Sequence, residues 1–229
     1  MKKRGVGGSY GCRSIKDLPT CSASSKVGVL LYHHHMIVGI TGSIGCGKSS
    51  VGRLFEQRGF SRIDSDALVR ERVLPCAGVL AALRSRYGPG VLAEDGTVDR
   101  AKLGAYVFSD DAERRWLEDL THPLVFAIWR EAFAARPAQH WAVEVPLLFE
   151  KGLENWFDFT VCVACSPDRQ LARLEQRGLP RGLAGQRISK QLPLVQKIER
   201  SDFVLWNEGS PDFLQAEVDA LIEVLTRQS

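Results

Sequence analysis

The residues with the clearest chemical potential lie in one short stretch, residues 42–49, which reads GSIGCGKS. This stretch fits the pattern G-x-x-x-x-G-K-[ST] of an oligophosphate-binding loop. Glycines let the backbone curl tightly, so that its N–H groups point inward at an anion. Lys48 would supply positive charge to the outer phosphates, and the Ser49 hydroxyl would bind Mg²⁺. The predicted phosphate contacts come from Gly42, Gly45, Cys46, Gly47, Lys48, Ser49 and Ser50.

The segments on either side of this loop fit the same interpretation. The apolar run over residues 36–40 predicts a buried parallel strand, and Val51, Leu54 and Phe55 recur at helical spacing before Gly59. A helix N-terminus directly behind the loop adds a dipole that favours anions. The alternative, a glycine-rich turn without a ligand, requires neither the strand nor the helix. The sequence therefore predicts a nucleotide-binding protein.

Two carboxylates follow the next short strand, which is predicted over residues 60–64. In doubly wound sheets, ligands bind outside the carboxyl ends of the strands. Asp64 and Asp66 are therefore expected near the phosphates, where Asp64 could reach Mg²⁺ through water. Asp66 could alternatively be the N-cap of a helix over residues 67–74. The spacing leaves both roles of Asp66 open.

A third carboxylate, Glu144, lies late in the apolar run of residues 141–145, which predicts another strand. Glu144 could help to position Mg²⁺ through water, or it could be an edge-facing carboxylate. Further strands are predicted over residues 159–165 and 202–207. Cys162 and Cys165 lie within one of them and face opposite sides of the strand, so small core residues are a better interpretation than a zinc pair.

Arginines follow these strands at a spacing that suits phosphate chemistry. Arg173 and Arg177 are four residues apart on a helix that Ser166-Pro167 would open, and therefore lie on one face. Residues 178–185 are rich in Gly and Pro, and helix resumes over residues 186–191 with Arg187. Arginines beside a mobile turn suit a lid that closes over phosphates. The alternative is a solvated charged helix.

A long helical stretch without strands separates the second and third predicted strands. Helices are predicted over residues 75–87, from an Asp99 cap to residue 108, and from a Ser109 cap to residue 120. Thr121-His122-Pro123 is predicted to break the chain, because Pro123 suits the first turn of a new helix that reaches residue 135. The stretch is interpreted as an insertion that could hold a second substrate. His122 could be a structural histidine or part of that site.

Composition limits the remaining classes of function. The 229 residues suit one α/β domain with insertions, and no apolar run approaches the roughly 20 residues of a membrane helix. Residues 1–35 contain six basic residues and one acidic residue, so the rest of the chain is slightly acidic although the whole carries +3. Composition thus gives no case for nucleic acid as a partner. Nothing in the cysteine spacing demands disulfides, so a reducing cytoplasm fits.

The first 35 residues differ from the rest of the chain. They are rich in Gly, Ser and basic residues, so disorder or a non-native extension is expected, with Met36 as the functional start. A transit peptide is an alternative, but no clear amphipathic helix emerges. His33, His34 and His35 could hold a metal weakly, but a cloning remnant or chance is the better interpretation of them.

From Met36 to the C-terminus the sequence resembles dephospho-CoA kinase, the enzyme family of the last step of coenzyme A synthesis. The Asn-Lys-x-Asp and Asp-x-x-Gly signatures of regulatory GTPases are absent from the sequence, and a nucleoside or nucleotide kinase is the second candidate. The matching segments outside the loop include Asp64-Ser-Asp66, His122-Pro123, Pro146-Leu-Leu-Phe-Glu150, Arg173 with Arg177, Arg187 with Gln191, and Asp202-Phe-Val-Leu-Trp-Asn207.

The resemblance implies an α/β P-loop kinase core with a five-stranded parallel sheet flanked by helices, a helical substrate-binding insertion and a lid. It implies transfer of the ATP γ-phosphate to the ribose 3′-hydroxyl of dephospho-CoA, with Mg²⁺. Asp66 is then the candidate base, Lys48 and the loop hold ATP, and Arg173 and Arg177 neutralise the transferring group. Asp66 and His122 would bind the acceptor.

The implied organisation divides the chain into four parts. The nucleotide-binding core comprises residues 36–66, 137–176 and 192–229. Residues 67–136 form the acceptor-binding insertion, and residues 177–191 form the lid that carries Arg187. Residues 1–35 lie outside the family pattern. A monomer is expected, with no membrane partner.

Overall fold

A computed structural model describes residues 35–227 of the chain. The expectations about the N-terminal extension therefore lie outside the described residues, apart from His35. Within the described part, no helix combines the length and apolarity that a membrane crossing requires.

Five strands form one parallel sheet, as predicted. Its strands are β1 (Ile37–Thr41), β2 (Ser61–Asp64), β3 (Trp141–Glu144), β4 (Phe159–Ala164) and β5 (Phe203–Trp206). They pair in the order β2-β3-β1-β4-β5, and all four pairings are parallel. The loop after β1 thus lies at the carboxyl edge of a central strand, where parallel sheets bind ligands.

Helices over residues 48–57 and 211–227 complete the core of this sheet. The described helices are α1 (Lys48–Gln57), α2 (Ser65–Leu68), α3 (Ala77–Tyr87), α4 (Arg100–Ser109), α5 (Asp111–Ala135), α6 (Pro167–Gln176), α7 (Arg181–Ser189), α8 (Leu194–Arg200) and α9 (Pro211–Arg227). Val51 and Phe55 of α1 and Val218 and Leu225 of α9 are fully buried in one apolar cluster with β1. The helical spacing after the loop therefore marks core contacts, which fix the start of α1 against the sheet.

Residues Leu68–Ile128 form one compact unit, and residues 35–67 with 129–227 form another. A polar and aromatic cluster holds helices of the first unit together. Arg86 makes two hydrogen bonds to Glu113, at 2.6 and 2.8 Å, and Tyr87 stacks on Tyr106 with ring centroids 4.5 Å apart. The Arg86 and Tyr87 hydrogen bonds lower the pKa of Glu113 to about 2. The carboxylate is therefore charged at neutral pH.

The predicted break at His122-Pro123 is wrong, because α5 runs through it without interruption. A proline inside a helix costs roughly 3 kcal/mol, since it removes one N–H donor and crowds the preceding turn. Here Pro123 is exposed, so the carbonyl left without a donor can be hydrated. Buried positions recur at Thr121, Val125 and Trp129 on one face across the proline. Burial of this stripe favours the helix more than the local sequence opposes it.

Two other predicted helix ends are also wrong. Asp110 rather than Ser109 caps α5, because its carboxylate accepts from the N–H of Ala112 at 2.7 Å. The helix expected from residue 75 begins at Ala77, after a π-helical turn over Val69–Val73. The predicted Asp99 cap of α4 is confirmed by hydrogen bonds from the N–H groups of Ala101 and Lys102.

Candidate active site

The loop between β1 and α1 adopts a conformation that requires glycine at two of its positions. Gly42 has φ 136°, and a Cβ there would lie 2.3 Å from the carbonyl oxygen of Val163. Gly47 has φ 103°, and a Cβ there would lie 2.1 Å from the Asn207 amide nitrogen. Any other residue would be strained in backbone conformation and would displace a neighbour. These glycines therefore let the loop pack directly on β4 and on the end of β5.

The N-terminus of α1 provides an anion site. Among the described residues, no side chain caps this helix at Gly47, and its first turn contains no acidic residue. The N–H groups of a first helical turn have no partner within the helix, and the helix dipole favours negative charge there. Ser49 is exposed at this position. The arrangement suits a phosphate group with its metal ion.

Lys48 lies folded over the loop. Its ammonium group donates to the carbonyl oxygens of Gly42 and Ser43, both at 3.0 Å. Burial lowers its pKa, and the Cys46 thiol and the carboxylates of Asp66 and Glu144 oppose that shift. The lysine is therefore held at the mouth of the loop by weak neutral acceptors, which a phosphate oxygen can replace.

The two aspartates after β2 have different surroundings. The Asp64 carboxylate accepts from the N–H of Ala67 at 3.0 Å, and α2 already begins at Ser65. The cap is thus Asp64, and the expectation that Asp66 caps a helix over residues 67–74 is wrong. Asp66 lies exposed in the first turn of α2 and acts electrostatically on Lys48.

Glu144 is buried in the middle of the sheet. Strand β3 has β1 on one side and β2 on the other, so the expectation of an edge-facing carboxylate is wrong. Its carboxylate accepts from Arg62 Nε at 2.6 Å, and its side chain is 4% exposed, compared with 33% for Asp64. Gly52 makes room for this pair, because a Cβ there would lie 2.3 Å from Glu144 Oε1. The charge of Glu144 is therefore largely balanced by Arg62.

Arg173, one of the arginines predicted to act on the phosphates, contacts the loop directly. Its guanidinium donates to the Asn207 carbonyl at 2.9 Å, to the Asn207 side-chain oxygen at 3.1 Å, and to the Cys46 carbonyl at 3.4 Å. The Asn207 amide also donates to the Cys46 carbonyl at 2.9 Å. Arg173 is thus fixed between the phosphate loop and the turn after β5.

A groove of about 520 Å³ opens beside this contact, a volume in the range of small-molecule sites. Arg177, the C-cap of α6, lines the same groove, so the helical spacing correctly predicts that the two arginines share a face. Arg177 is exposed, whereas Arg173 is half-buried. The lining includes Gly47, Ser50, Arg53, Arg169, Arg173 and Asn207.

The segment after Arg177 is more helical than predicted. Helix α7 begins at Arg181, so the Gly/Pro turn is limited to the residues around Gly178, which has φ 80°. The glycines at 182 and 185 lie inside the helix and do not interrupt it. Arg187 lies in the last turn of α7 and is exposed.

His122, Cys162 and Cys165 pack against other side chains of the protein. His122 is half-buried in α5, with its ring 5.7 Å from that of Phe126. Cys162 and Cys165 are both buried, as the core interpretation predicts. The interaction of the two thiols lowers the pKa of Cys46, and the same interaction together with burial raises the pKa of Cys165.

Sequence reasoning missed the polar residues that support the loop from other parts of the chain. Gln191 and Gln170 both contact Ser43 and Ile44, and Lys197 is paired with Glu150. Each contact joins residues far apart in sequence, so no local sequence pattern predicts it. Gln191, Glu150 and Asn207 occur within segments that carry the family resemblance, which was the one available signal.

A phosphate loop between a central parallel strand and its helix, with arginines of a later helix on the rim of that loop, defines a P-loop kinase. The family model described as CoaE, dephospho-CoA kinase, matches residues 36–212. The chain belongs to the dephospho-CoA kinase family. It is therefore an enzyme of the transferase class whose family uses ATP as co-substrate, as the sequence predicts.

Individual relatives agree with this membership. A dephospho-CoA kinase of Thermosynechococcus vestitus is 45% identical over 192 residues, which cover 83% of this chain and 95% of the relative. One of Gloeobacter violaceus is 39% identical over 188 residues, with 82% and 91% covered. The solved dephospho-CoA kinase of Campylobacter jejuni superposes with a TM-score of 0.62 at 26% identity and covers 84% of this chain and 98% of its own.

Proposed function

We propose that this chain transfers the γ-phosphoryl group of ATP to the ribose 3′-hydroxyl of dephospho-CoA, giving coenzyme A and ADP. The observation that carries the mechanism is the exposed Asp66 carboxylate in the first turn of α2, directly after β2 and thus at the same carboxyl edge of the sheet as the phosphate loop. A carboxylate beside the transferring phosphate is where a hydroxyl acceptor needs a proton acceptor. Family membership identifies the acceptor.

In this proposal, Asp66 accepts the proton of the 3′-hydroxyl as the ribose oxygen attacks the γ-phosphorus. The bond from that phosphorus to the bridging oxygen breaks, and ADP leaves. Lys48 exchanges its two carbonyl partners for phosphate oxygens, and Arg173 and Arg177 neutralise charge on the transferring group. Catalysis then rests mainly on in-line positioning and on charge neutralisation.

Mg²⁺ would join the nucleotide phosphates, and it supplies further neutralisation of their charge. The donor set fits an ion that keeps several waters, because Ser49 offers one hydroxyl and the first turn of α1 contains no acidic residue. Of the nearby carboxylates, Asp64 is the better outer partner, because its side chain is 33% exposed and lies 3.6 Å from Arg62, whereas Glu144 is 4% exposed and lies 2.6 Å from Arg62. No group of three or more His, Cys, Asp or Glu side chains in the described part of the chain could hold a metal by itself.

The parts of the chain are assigned roles accordingly. Residues 67–136, with His122, bind the acceptor, and residues 177–191, with Arg187, close over the phosphates and exclude water. We further propose that the enzyme acts as a monomer in the cytoplasm. It has no nucleic acid or membrane partner in this proposal.

A comparison of acceptors tests the proposed function. The purified protein is given ATP and Mg²⁺ with dephospho-CoA, AMP or CMP at equal concentration, and ADP release is measured while mass spectrometry identifies the product. We expect coenzyme A from dephospho-CoA and little turnover of either nucleotide. Efficient turnover of AMP or CMP without that of dephospho-CoA would instead indicate a nucleotide kinase.

A further inference from the structure

One side chain outside the loop, that of Gln191, makes two hydrogen bonds to the loop apex, which consists of Ser43 and Ile44. The side-chain oxygen of Gln191 accepts from the Ile44 N–H at 2.9 Å and from the Ser43 hydroxyl at 3.0 Å. The residues joined are 147 and 148 positions apart in sequence. Both donors belong to the variable positions of the phosphate loop, so these bonds fix the direction in which the apex backbone faces.

Gln170 of α6 binds the same two loop residues. Its amide group donates to the Ser43 hydroxyl at 2.8 Å and to the Ile44 carbonyl at 2.5 Å. Ser43 is 2% exposed and Gln170 is 5% exposed, so solvent does not compete for these bonds. The apex is therefore held between two glutamine side chains in a largely water-free setting, where hydrogen bonds are strong and their loss is costly.

The backbone beside Gln191 is itself anchored. The next residue, Leu192, donates its N–H to Glu150 Oε1 at 2.9 Å. The same oxygen is 2.8 Å from the ammonium group of Lys197, a side chain with no exposed surface, which also donates to the Pro146 carbonyl at 2.7 Å. Removing one partner of a buried ion pair is strongly destabilising, because the other charge is left buried without a partner. Gln191 is thus presented to the loop from a fixed support.

Gln191 also directly follows α7, because its N–H donates to the carbonyl of Ile188 in the last turn of that helix. We propose that Gln191 is a positioning residue that holds the loop apex in its ATP-binding conformation and joins the loop to the C-terminal end of the lid helix. Its action is on ATP through the loop backbone, without contact with the acceptor. The inference rests on the proposed function only in naming α7 as part of a lid.

Substitution of Gln191 by methionine tests the proposal, since methionine keeps the side-chain length and removes the acceptor oxygen. Calorimetric titration with ATP and Mg²⁺, without acceptor, should show a dissociation constant raised about tenfold, because both hydrogen bonds from the loop apex to Gln191 are lost. The KM for dephospho-CoA should be unchanged. A dissociation constant within twofold of the unsubstituted protein would overturn the proposal.

Gln139→Met is the matched control. The Gln139 amide donates to the carbonyls of Gly59 at 2.6 Å and His140 at 3.2 Å, just before β3 and thus at the opposite end of the sheet from the loop. It should lower the melting temperature while leaving ATP affinity unchanged. Equal weakening of ATP binding in both variants would mean that Gln191 has only a structural role.

Ser43→Ala provides a second route that does not depend on the stability of the Gln191 variant. It removes one hydroxyl and should weaken ATP binding about threefold, since it breaks one of the two bonds to Gln191 and also the bond from Gln170. In the double variant, the increase in the ATP dissociation constant should be smaller than the product of the two single increases, because both substitutions break the same contact. Unchanged affinity in Ser43→Ala, or full independence in the double variant, would contradict the proposal. Because ATP binding alone is measured, failure to phosphorylate dephospho-CoA would overturn the proposed function and leave this result intact.

Discussion

The phosphate loop and the segment that follows α6 differ sharply in how the protein supports them. In residues 42–49, Gly42, Ser43, Gly45 and Cys46 are buried, and the loop is hydrogen-bonded to four distant side chains, those of Gln170, Arg173, Gln191 and Asn207. In residues 177–191, α7 buries Ala184 alone. Arg177 and Arg187 are both exposed.

This difference separates two tasks in phosphoryl transfer. Dipoles that are already aligned bind the phosphates without reorganisation, which favours a buried and cross-linked loop. A group that must close over ATP and then release ADP needs few buried contacts, because those would hold it in one position. We expect the loop to determine ATP affinity and the exposed arginines to act in the transition state.

The largest effect should come from Asp66, which belongs neither to the phosphate loop nor to residues 177–191. If Asp66 is the base, Asp66→Asn should lower kcat by roughly 10²–10⁴-fold, with little change in ATP affinity. Steady-state kinetics together with ATP titration check this. Activity near that of the unsubstituted enzyme would exclude the role of Asp66 as base.

Asp64→Asn is the comparison for that variant. Asparagine caps helices about as well as aspartate, so α2 should remain intact. The charge that would face Mg²⁺ through water is lost, and the Mg²⁺ concentration for half-maximal activity should rise. Excess Mg²⁺ should restore the activity of the Asp64→Asn variant but not that of the Asp66→Asn variant.

Arg177→Gln should give the next largest loss. Because Arg177 is exposed on the groove beside the loop, we expect it to act when charge develops on the transferring group, with kcat about 10³-fold lower. Arg227→Gln, at the exposed end of α9, is the matched control and should keep full activity. A change confined to the KM for ATP would show that Arg177 only binds the ground state.

Lys48→Ala tests the loop side of the comparison. The lysine should contribute to both ATP binding and turnover, so kcat/KM should fall by roughly 10²–10³-fold, the scale of one preorganised donor. Ser49→Ala should also raise the Mg²⁺ concentration needed for half-maximal activity, because a proposed hydroxyl ligand is lost. Near-normal turnover by Lys48→Ala would contradict the assignment of the loop.

The smallest effect should follow removal of residues 1–35, which neither region uses in this account. Strand β1 begins at Ile37, and the family match begins at residue 36. Activity should be unchanged, with a melting temperature within about 2 °C of that of the full chain. A clearly lower melting temperature would mean that these residues support the fold.

Local patterns were sufficient for the sheet, the phosphate loop and the face shared by Arg173 and Arg177, because each depends on spacing within one segment. They failed where distant contacts outweigh local preference. The buried face of α5 outweighs the proline at position 123, and Asp64 takes the capping role expected of Asp66. The support of the loop by Gln170 and Gln191 depends on strand order, which sequence spacing does not encode.

The most direct measurement is the affinity for ATP and Mg²⁺ of Arg177→Gln beside that of Lys48→Ala, by calorimetry with the acceptor omitted. The division between a preformed loop and an exposed lid predicts a dissociation constant within about threefold of the unsubstituted enzyme for Arg177→Gln, despite its large loss of kcat. Lys48→Ala should bind ATP at least about tenfold more weakly. If Arg177→Gln loses ATP affinity as strongly as Lys48→Ala, the two regions share one task and the account is wrong.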